Sequence, residues 1–437
     1  MTPLEQLFER IQNHTARAGV IGIGYVGLPL AVEIAQAGFE TTGIDVDSGK
    51  VDRLRSGESY VQDVPGDVVA ELVRAGKLTG TTDPAVIKDL DAISICVPTP
   101  LRKTKDPDMS FINHAVDMIT GNMAPGKLII LESTTYPGTT DEVVLPSLEN
   151  AGMKVGEDFH LAFSPERIDP GNKTYTVKNT PKILGGITPQ CTEVGALFYQ
   201  QFIGTIVKVS SARSAEMVKL LENTYRSVNI GLVNELALLC DKMGLDVWEI
   251  VEAAGTKPFG FMPFYPGPGL GGHCLPVDPH YLSWKARTYE FYARFIELAG
   301  EINSSMPEHV YRKLVSGLNS HGKPVKGSKV LILGVSYKRD VGDTRESPAL
   351  DTMTLLQRDG AELSYHDPYV NRLHLGDTEM CSCNLDEETV KNADCVLLMT
   401  DHTTFDAPTI AQWASLIVDS RNAFKKVSEG RDKIIKI

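Results

Sequence analysis

Short apolar runs alternate with helical stretches at both ends of the chain, and this alternation limits its fold more than any other feature. Near the N-terminus the runs span 18–23, 42–46, 92–97, 128–131 and 161–163. Near the C-terminus they span 329–334, 362–366, 394–399 and 416–419. Strands that alternate with helices form βαβ units, whose parallel sheet is buried on both faces. The pattern predicts an α/β fold with one such domain at each end.

A long helix is expected between these two ends. From Ser211 to about Gly244 the chain has no proline, and Gly231 is the only internal glycine. Apolar residues recur there at spacings of three and four, which predicts one face of a single helix. They are Val218, Leu221, Tyr225, Val228, Leu232, Leu236 and Leu239. A second helical block is expected from 281 to 318, followed by a linker at 320–324. The predicted domains are 1–210, a central helical domain at 211–319, and 320–437.

Composition and charge narrow the class of function. The 437 residues are 42% hydrophobic and 23% charged, as in ordinary globular proteins, and the net charge of −13 argues against a nucleic-acid partner. No apolar run reaches the ~18 residues of a membrane span, and the first residues do not resemble a secretory signal. We therefore expect a cytoplasmic protein without a membrane partner. Seven scattered cysteines predict reduced thiols, and Cys381 and Cys383 lack a second Cys or His pair, so no metal is expected.

The strongest N-terminal motif is Gly22-Ile23-Gly24-Tyr25-Val26-Gly27, between a predicted strand and a predicted helix over 28–37. In that context the motif is typical of the dinucleotide-binding turn of a Rossmann-like, doubly wound domain, where the helix N-terminus faces a pyrophosphate. Asp45 ends the next strand, and its carboxylate would accept hydrogen bonds from a ribose diol but repel a 2′-phosphate. The sequence thus predicts NAD rather than NADP.

Two further strand ends carry small hydroxyl residues. Val97-Pro98-Thr99-Pro100 follows one strand, and Glu132-Ser133-Thr134-Thr135 follows another. Ligands of doubly wound sheets bind beyond the carboxyl ends of the strands, so both segments are candidate contacts.

The densest signal in the chain is Tyr265-Pro266-Gly267-Pro268-Gly269-Leu270-Gly271-Gly272-His273-Cys274. Four glycines let backbone N–H groups approach a ligand closely. Cys274 is then a candidate nucleophile, with His273 and Asp278 as neighbouring acid/base candidates.

A thiol beside a nicotinamide site suggests a four-electron reaction. Removal of a hydride from an alcohol gives an aldehyde, which has no easily lost hydride until a nucleophile adds. A cysteine thiolate can form a thiohemiacetal, which loses a second hydride to become a thioester, and water then releases the acid.

With these motifs the chain resembles the UDP-glucose/UDP-N-acetylhexosamine 6-dehydrogenase family. The resemblance extends from Gly22 to about Asn422. The matching motifs are Gly-Tyr-Val-Gly-Leu-Pro (24–29), Ser-Thr-Thr-Tyr-Pro-Gly-Thr-Thr (133–140), Phe-Ser-Pro-Glu-Arg (163–167), Lys-Leu-Leu-Glu-Asn (219–223), Gly-Gly-His-Cys-Leu-Pro-Val-Asp-Pro (271–279) and Gly-Asp-Thr-Arg-Glu-Ser-Pro (342–348). The resemblance is strongest to bacterial UDP-N-acetyl-D-glucosamine 6-dehydrogenases of surface-polysaccharide and lipopolysaccharide synthesis. It implies an NAD-binding domain, a central helical dimerisation domain and a UDP-sugar-binding domain, hence a homodimer or larger oligomer.

The resemblance also implies catalytic roles. Cys274 matches the nucleophile, and Lys219 and Asn223, four residues apart on the long helix, match the pair that stabilises charge on the thiohemiacetal oxygen. Asp278 matches the carboxylate that assists proton removal in the first oxidation. Two further matches are Thr134, which positions a water molecule, and Glu166, the acid/base group of thioester hydrolysis.

Binding residues follow from the same resemblance. The cofactor contacts it implies are Gly22, Gly24, Tyr25, Val26, Gly27, Asp45, Lys50, the 97–101 loop with Val97 and Thr99, Thr134 and Arg345. The substrate contacts it implies are Glu166, Arg167, Lys219, Asn223, the 265–271 loop with Tyr265, Gly267, Gly269 and Gly271, and Tyr337, Lys338 and Arg421.

The chain departs from the glucose-type enzymes in one informative place. They have a second glutamate four residues after the one that matches Glu166, where this chain has Pro170. That is the form of the N-acetylhexosamine subgroup, in which Arg167 resembles a substrate contact. The partner-subunit arginine of the glucose-type enzymes has no clear match near 257–261, and Arg294 is the candidate replacement.

Several alternatives stay open at the level of sequence. The same chemistry could act on UDP-N-acetylmannosamine, UDP-N-acetylgalactosamine or UDP-glucose, because these sugars differ in single ring substituents. A silent UDP-sugar-binding regulatory protein would have the same folds but would not need Cys274, Lys219 and Asp278. A two-electron hydroxyacid dehydrogenase would need neither the cysteine loop nor a second α/β domain.

Overall fold

The computed structural model describes residues 2–61, 63–102, 106–168, 174–272 and 274–437. The chain divides into two compact units. The first contains the residues up to Glu222 together with Trp284–Tyr289, and the second contains Asn223–Ser283 and Glu290–Ile437.

The first unit is built on an eight-stranded sheet. Its strands are β1 (Arg17–Ile21), β2 (Glu40–Ile44), β3 (Leu78–Thr81), β4 (Ala92–Ile95), β5 (Lys127–Leu131), β6 (Phe159–Phe163), β7 (Lys182–Gly186) and β8 (Ile206–Lys208). Its helices are α1 (Pro3–Gln12), α2 (Gly27–Gln36), α3 (Ser48–Arg55), α4 (Gly66–Arg74), α5 (Ser110–Thr120), α6 (Leu145–Glu149) and α7 (Pro189–Tyr199).

The order of strands in this sheet is β3-β2-β1-β4-β5-β6-β7-β8. All neighbours pair in parallel except β6 and β7, which are antiparallel. Successive side chains of the central strands enter two different apolar clusters: Val20 packs into one and Ile21 into the other. Both faces of the sheet are therefore covered, as the continuous apolar runs predict.

The second unit begins within the long helix α8 (Ala212–Met243). The helices that follow are α9 (Val247–Ala254), α10 (Asp278–Arg287), α11 (Arg294–Ser320), α12 (Pro348–Arg358), α13 (Glu387–Asn392) and α14 (Ala407–Trp413), of which α10 belongs to the first unit from Trp284 onward. The strands are β9 (Lys329–Leu333), β10 (Glu362–His366), β11 (Arg372–Leu375), β12 (Thr378–Cys381), β13 (Cys395–Leu398), β14 (Ile417–Asp419) and β15 (Ile434–Lys436).

Five of these strands form a parallel sheet in the order β10-β9-β13-β14-β15, while β11 and β12 form a separate antiparallel hairpin. Apolar clusters again cover both faces: Val330 packs on one side and Leu331 on the other. The α/β fold class with two Rossmann-like sheets and a long central helix is thus confirmed.

One helical prediction was wrong. The sequence predicts a single block from 281 to 318, but α10 ends at Arg287 and α11 begins at Arg294. Between them Glu290 has a φ of 55°, a left-handed conformation that no α-helix contains. The sequence does not mark this break, because residues 288–293 contain neither glycine nor proline and are partly aromatic.

Candidate active site

The first sheet brings five strand ends into one row. Strand register aligns Ile21 with both Ile44 and Ile95, Ile95 with Leu131, and Leu131 with Phe163. The segments that follow these residues therefore leave the sheet at the same edge, where doubly wound folds bind their ligands. These segments carry the glycine motif, Asp45, the 97–101 loop, Thr134 and Glu166.

The three glycines of the motif serve different purposes. Gly22 has a φ of 89°, and a Cβ there would lie 2.6 Å from the carbonyl oxygen of Cys96. A Cβ on Gly27 would lie 1.9 Å from the oxygen of Gly22, so this glycine lets α2 pack closely on the turn. A Cβ on Gly24 would meet nothing within 4 Å, so protein packing does not explain that glycine. The open space at Gly24 lies beside the N-terminus of α2, whose N-cap residue Val26 provides no side-chain acceptor. The pyrophosphate of a dinucleotide fits that space.

Asp45 is held rigidly at the end of β2. Its Oδ2 accepts a hydrogen bond from the N–H of Ile23 at 3.0 Å, and its Oδ1 accepts one from Asp47 at 3.0 Å. Lys50 lies 3.5 Å away, so two predicted cofactor residues are in contact. Tyr60 was missed by sequence reasoning: its hydroxyl donates to the carbonyl of Ile23 at 2.6 Å. Burial raises the pKa of Tyr60, and the negative charge of Asp45 raises it further. The phenol therefore stays protonated.

Buried polar contacts tie the next strand ends together. The hydroxyl of Ser133 donates to the carbonyl of Val97 at 2.8 Å and lies 3.2 Å from that of Ile95. Thr134 is half-buried between the buried Ser133 and Thr135. Since Ser133 joins two loops, the segments of Val97 and Thr134 are fixed relative to each other.

A buried ion pair lies beneath this edge. The ammonium of Lys182 is 2.6 Å from Glu132 Oε2, and the hydroxyl of Tyr199 donates to Glu132 Oε1. Glu132 belongs to a segment that the sequence singles out, whereas Lys182 and Tyr199 were missed. No local pattern marks them, because Lys182 opens β7 and Tyr199 ends α7.

Glu166 and Lys219 are also brought together. The ammonium of Lys219 donates to the carbonyl oxygen of Glu166 at 2.6 Å. The carboxylate of Glu166 accepts from the N–H groups of Arg167 at 2.6 Å and Ile168 at 2.5 Å, so it is held by its own turn. Arg167 pairs with Glu222 at 2.6 Å. Pro170, the position that separates the predicted subgroups, lies outside the described residues.

In the second unit, parallel register again aligns strand ends. Leu333 pairs with His366 and Leu398, and Leu398 pairs with Asp419. The segments after these strands carry Tyr337, Lys338 and Arg421, the predicted substrate contacts.

The glycine loop packs against two of these contacts. A Cβ on Gly267 would lie 2.6 Å from Nη1 of Arg421, and a Cβ on Gly271 would lie 2.6 Å from Cβ of Tyr337. Gly269 has a φ of 132°, which L side chains rarely adopt. These glycines therefore allow a close approach between the loop and the predicted substrate residues. Arg345 is tied to the loop as well, since its carbonyl accepts from the N–H of Gly272 at 3.0 Å.

Two buried asparagines anchor the loop, and both were missed by sequence reasoning. The N–H of Gly267 donates to Asn234 Oδ1 at 3.0 Å. Asn234 Nδ2 donates to Asn303 Oδ1 at 2.9 Å, and Asn303 Nδ2 donates to the carbonyl of Ser227 at 3.1 Å. The asparagines lie 69 residues apart in sequence, on α8 and α11, so no local motif could have found them.

Cys274 is exposed just before α10. Its carbonyl accepts from the N–H of Asp278 at 2.8 Å, which closes the turn into that helix. The carboxylate of Asp278 is buried and accepts from Asn223 Nδ2 at 2.5 Å, so two predicted catalytic residues are in contact. His273 lies outside the described residues.

A cavity of about 690 Å³ opens beside Arg421. Its lining includes Trp248, Tyr265, Arg339, Arg421 and Asn422. The rings of Trp248 and Tyr265 stack with centroids 6.0 Å apart. Burial lowers the pKa of Arg421, and the positive charge of Arg339 lowers it further, to about 10. Arg421 is still cationic at neutral pH.

Comparison with known proteins decides the family. Models of the UDP-glucose/GDP-mannose dehydrogenase family match residues 16–203 (NAD binding domain), 213–305 (central domain) and 331–426 (UDP binding domain). The chain belongs to this family. It is an NAD-dependent UDP-sugar dehydrogenase.

Relatives of this dehydrogenase are named for more than one sugar. It is 36% identical to UDP-N-acetyl-D-glucosamine 6-dehydrogenase of Pseudomonas aeruginosa, over 81% of this chain and 83% of that protein. It is 35% identical to UDP-N-acetyl-D-mannosamine dehydrogenase of Methanococcus maripaludis, over 88% and 86%. The solved structure of a UDP-D-ManNAc dehydrogenase from Pyrococcus horikoshii matches it with a TM-score of 0.88 at 33% identity, over 96% and 99%.

Three further observations on the dehydrogenase concern disulfides, metal sites and membrane-spanning helices. All seven cysteines lie within the described residues, and no two are joined in a disulfide. Within those residues no group of three or more His, Cys, Asp or Glu side chains is placed to hold a metal ion. None of the helices described combines the length and apolar character that crossing a bilayer requires.

Proposed function

We propose that this dehydrogenase oxidises the C6 hydroxyl of UDP-N-acetyl-D-glucosamine to the carboxylate, for the synthesis of surface-polysaccharide precursors. The observation that carries the four-electron reaction is the exposed thiol of Cys274, in the turn that leads to Asp278, whose buried carboxylate accepts from Asn223. Oxidation of an alcohol only to an aldehyde would need no nucleophile. A thiol is needed to make the aldehyde oxidisable a second time.

NAD+ supplies a hydride acceptor for each of the two oxidations. In the first, Asp278 takes the proton of the C6 hydroxyl through a water molecule that Thr134 positions. The thiolate of Cys274 then adds to the aldehyde carbon, and Lys219 and Asn223 stabilise the negative oxygen of the thiohemiacetal. After the second hydride leaves, a sulfur–carbonyl thioester remains.

Hydrolysis of that thioester completes the reaction. Glu166 accepts a proton from the attacking water, the carbon–sulfur bond breaks, and the thiolate of Cys274 is restored. The carboxylate of Glu166 accepts hydrogen bonds from two backbone N–H groups, which hold it in one orientation for this task.

We assign the UDP moiety to the cavity beside Arg421. Its cations Arg339 and Arg421 suit a diphosphate, although the lining also includes the acidic Glu252 and Asp401. Two buried polar atoms of lining residues, Trp248 Nε1 and Asn422 Oδ1, have no hydrogen-bond partner among the described residues. A uracil offers both an acceptor and a donor, so it could satisfy such a pair.

The alternative substrates are the C2 epimer UDP-N-acetylmannosamine, the C4 epimer UDP-N-acetylgalactosamine, and UDP-glucose. Relatives named for glucosamine and mannosamine substrates are about equally similar to this chain. Arg167 stands where the N-acetylhexosamine subgroup has a substrate contact, which supports an acetamido sugar over UDP-glucose.

We further propose that a second copy of the chain covers one face of α8. Five apolar side chains on this helix, all in the second unit, are 41–61% exposed: Tyr225, Leu232, Leu236, Leu239 and Met243. The sequence marks four of them as the apolar face of the helix, and a monomer rarely exposes so continuous a stripe. Leu236→Glu should halve the mass measured by light scattering, while Glu235→Gln on the same turn should not; an unchanged mass in Leu236→Glu would exclude this face.

The proposal also includes the limits of the domains and the cellular compartment. We propose an NAD-binding domain at 1–210, a central dimerisation domain at 211–319 and a UDP-sugar-binding domain at 320–437. Seven cysteines without a disulfide support a reducing, cytoplasmic compartment.

A substrate panel tests the reaction. Each purified UDP-sugar is supplied with excess NAD+, and the NADH formed is counted per sugar consumed. We expect two NADH per UDP-N-acetylglucosamine and slower turnover of the other sugars. A preference for UDP-glucose would overturn the subgroup assignment, one NADH per sugar would overturn the four-electron chemistry, and no NADH with any sugar would indicate a silent binding protein.

A further inference from the structure

Four side chains on α8 contact the strand-end loops of the first unit. They are Arg213, Glu216, Lys219 and Glu222, each three residues after the one before, so that consecutive members are neighbours on the helix surface. Lys219 and Glu222 contact Glu166 and Arg167, as described above. Arg213 and Glu216 contact a different segment, the loop and helix that follow β5. Arg213 lies 2.8 Å from Asp141.

Glu216 makes the tightest of these contacts. Its buried carboxylate accepts three hydrogen bonds: from the N–H of Gly138 at 2.5 Å, from the N–H of Thr140 at 2.9 Å, and from the hydroxyl of Thr140 at 2.7 Å. Thr140 begins a π-helical turn, Thr140–Val144, whose first N–H groups have no partner within the helix. The carboxylate therefore closes the loop 133–140, which carries Thr134, onto α8.

Burial of this carboxylate makes its ionised form costly to stability. Burial raises the pKa of Glu216 from an ordinary 4.5 to about 7, despite the three hydrogen bonds. The folded protein then binds the proton more tightly than the unfolded chain does, so the free energy of unfolding decreases as pH rises between these two values. A buried group whose ionised form costs stability is typical of a functional position.

We propose that Glu216 is a positioning residue: its carboxylate holds the 133–140 loop, and with it Thr134, in register with the helix that carries Lys219. This inference rests on the proposed roles of Thr134 and Lys219. Sequence reasoning missed Glu216 because its partners lie 76 and 78 residues earlier in the chain.

The charged and titratable groups around Glu216 come from three segments. They are Tyr136, Asp141 and Glu142 from the loop and the helix after it, Arg213 from α8, and Lys285, which lies 2.6 Å from Glu142. Of these, Asp141 acts on Glu216 to raise its pKa. Arg213 pairs with Asp141 and Glu142, and Lys285 pairs with Glu142, all in the helical turn that begins at Thr140.

Glu216→Gln tests the proposal, because it keeps the size of the side chain and replaces one acceptor oxygen by a donor. We expect kcat to fall about tenfold while KM for NAD+ stays within about twofold, since a small misplacement of a catalytic group is costly. The wild type should lose kcat as pH falls through about 7, where Glu216 becomes protonated, and the variant should lack that limb of the profile. Hydrogen exchange at the amides of Gly138 and Thr140 should quicken about tenfold or more.

Two more variants make the result decisive. Thr140→Val removes one of the three hydrogen bonds but keeps the carboxylate, so it should lower kcat less and retain the pH limb. Glu193→Gln, an exposed pair with Lys208 on the same unit, should change neither kcat nor exchange. These variants also serve if Glu216→Gln does not fold.

The outcomes separate this proposal from the proposed function. A Glu216→Gln enzyme with a lower Tm at pH 8 but wild-type kcat and pH profile would reduce Glu216 to a structural residue and overturn the proposal. Unchanged exchange at Gly138 and Thr140 would also overturn it. If the wild type oxidises no UDP-sugar, the proposed function fails, but the exchange measurement still decides whether Glu216 holds the loop.

Discussion

The two sheets of the molecule place their predicted ligand contacts in the same way, but the chemical groups of those contacts differ. In both, parallel register aligns the strand ends, and the segments beyond them carry the predicted contacts. At the first sheet the groups proposed to bind the ligand are backbone N–H donors and the carboxylate of Asp45, which suit a pyrophosphate and a ribose diol. At the second sheet they are the guanidinium groups of Arg339 and Arg421. On this proposal the architecture fixes where a ligand binds, and a few side chains fix which ligand.

The largest difference between the two regions should come from removing the proposed nucleophile of the second unit. Cys274→Ser should lower uronate release about 10³-fold or more, because a serine hydroxyl is a far weaker nucleophile than a thiolate. NAD+ affinity should persist, since the glycine motif is intact. Cys381→Ser, at another exposed cysteine, is the control. Undiminished uronate release by Cys274→Ser would remove Cys274 from its role.

The next largest effect should come from the cation of the second sheet. Arg421→Gln should raise KM for the UDP-sugar about 10- to 100-fold, the value of a charged hydrogen bond to a phosphate. Binding of NAD+, measured by fluorescence titration, should not change. Arg372→Gln, an exposed arginine on β11, serves as control. A weaker NAD+ affinity in Arg421→Gln would mean that the two regions do not divide the ligands as proposed.

The corresponding change at the first sheet is Asp45→Ala. It should weaken NAD+ binding about tenfold and NADP+ binding much less, because the lost acceptor would serve the ribose diol and repel a 2′-phosphate. Asp52→Ala, on the adjacent helix, controls for the loss of a surface charge. Equal losses for the two dinucleotides would reject the ribose contact.

The smallest effect on the protein itself should come from Gly24→Ala. A Cβ there meets no atom within 4 Å, so the free energy of unfolding without ligand should stay within about 0.5 kcal/mol of the wild type. NAD+ affinity should nevertheless fall severalfold, because the methyl group occupies space beside the turn. Gly27→Ala is the contrast, since its Cβ would lie 1.9 Å from the oxygen of Gly22 and should destabilise the fold. A destabilised Gly24→Ala, or one with unchanged NAD+ affinity, would reject the interpretation of that space.

Sequence reasoning is most informative where the signal is local. The glycine motif and Asp45 are separated by one βα unit, and the structure confirms that both follow neighbouring strand ends. Their roles, like that of the loop before Cys274, stay predictions. The long helix is also predictable, because its apolar periodicity runs from Val218 to Leu239 within a helix of 32 residues.

What sequence reasoning missed depends on contacts between distant segments. Asn234 and Asn303 are ordinary amides until the fold pairs them, and Glu216 resembles any helical surface glutamate until the 133–140 loop covers it. The short strands β3, β8 and β15 likewise have no distinctive pattern, because their conformation is set by pairing with a neighbouring strand.

The exposure of Cys274 has a consequence for handling the enzyme. If this exposed thiol is the nucleophile we propose, it is also open to peroxide and to alkylating reagents. Activity should therefore decline in air together with the titre of accessible thiols, and a reductant should restore both as long as oxidation stops at the sulfenic acid or a mixed disulfide. Bound UDP-sugar should slow the loss, so the rate of inactivation becomes a measure of how much of the enzyme is occupied.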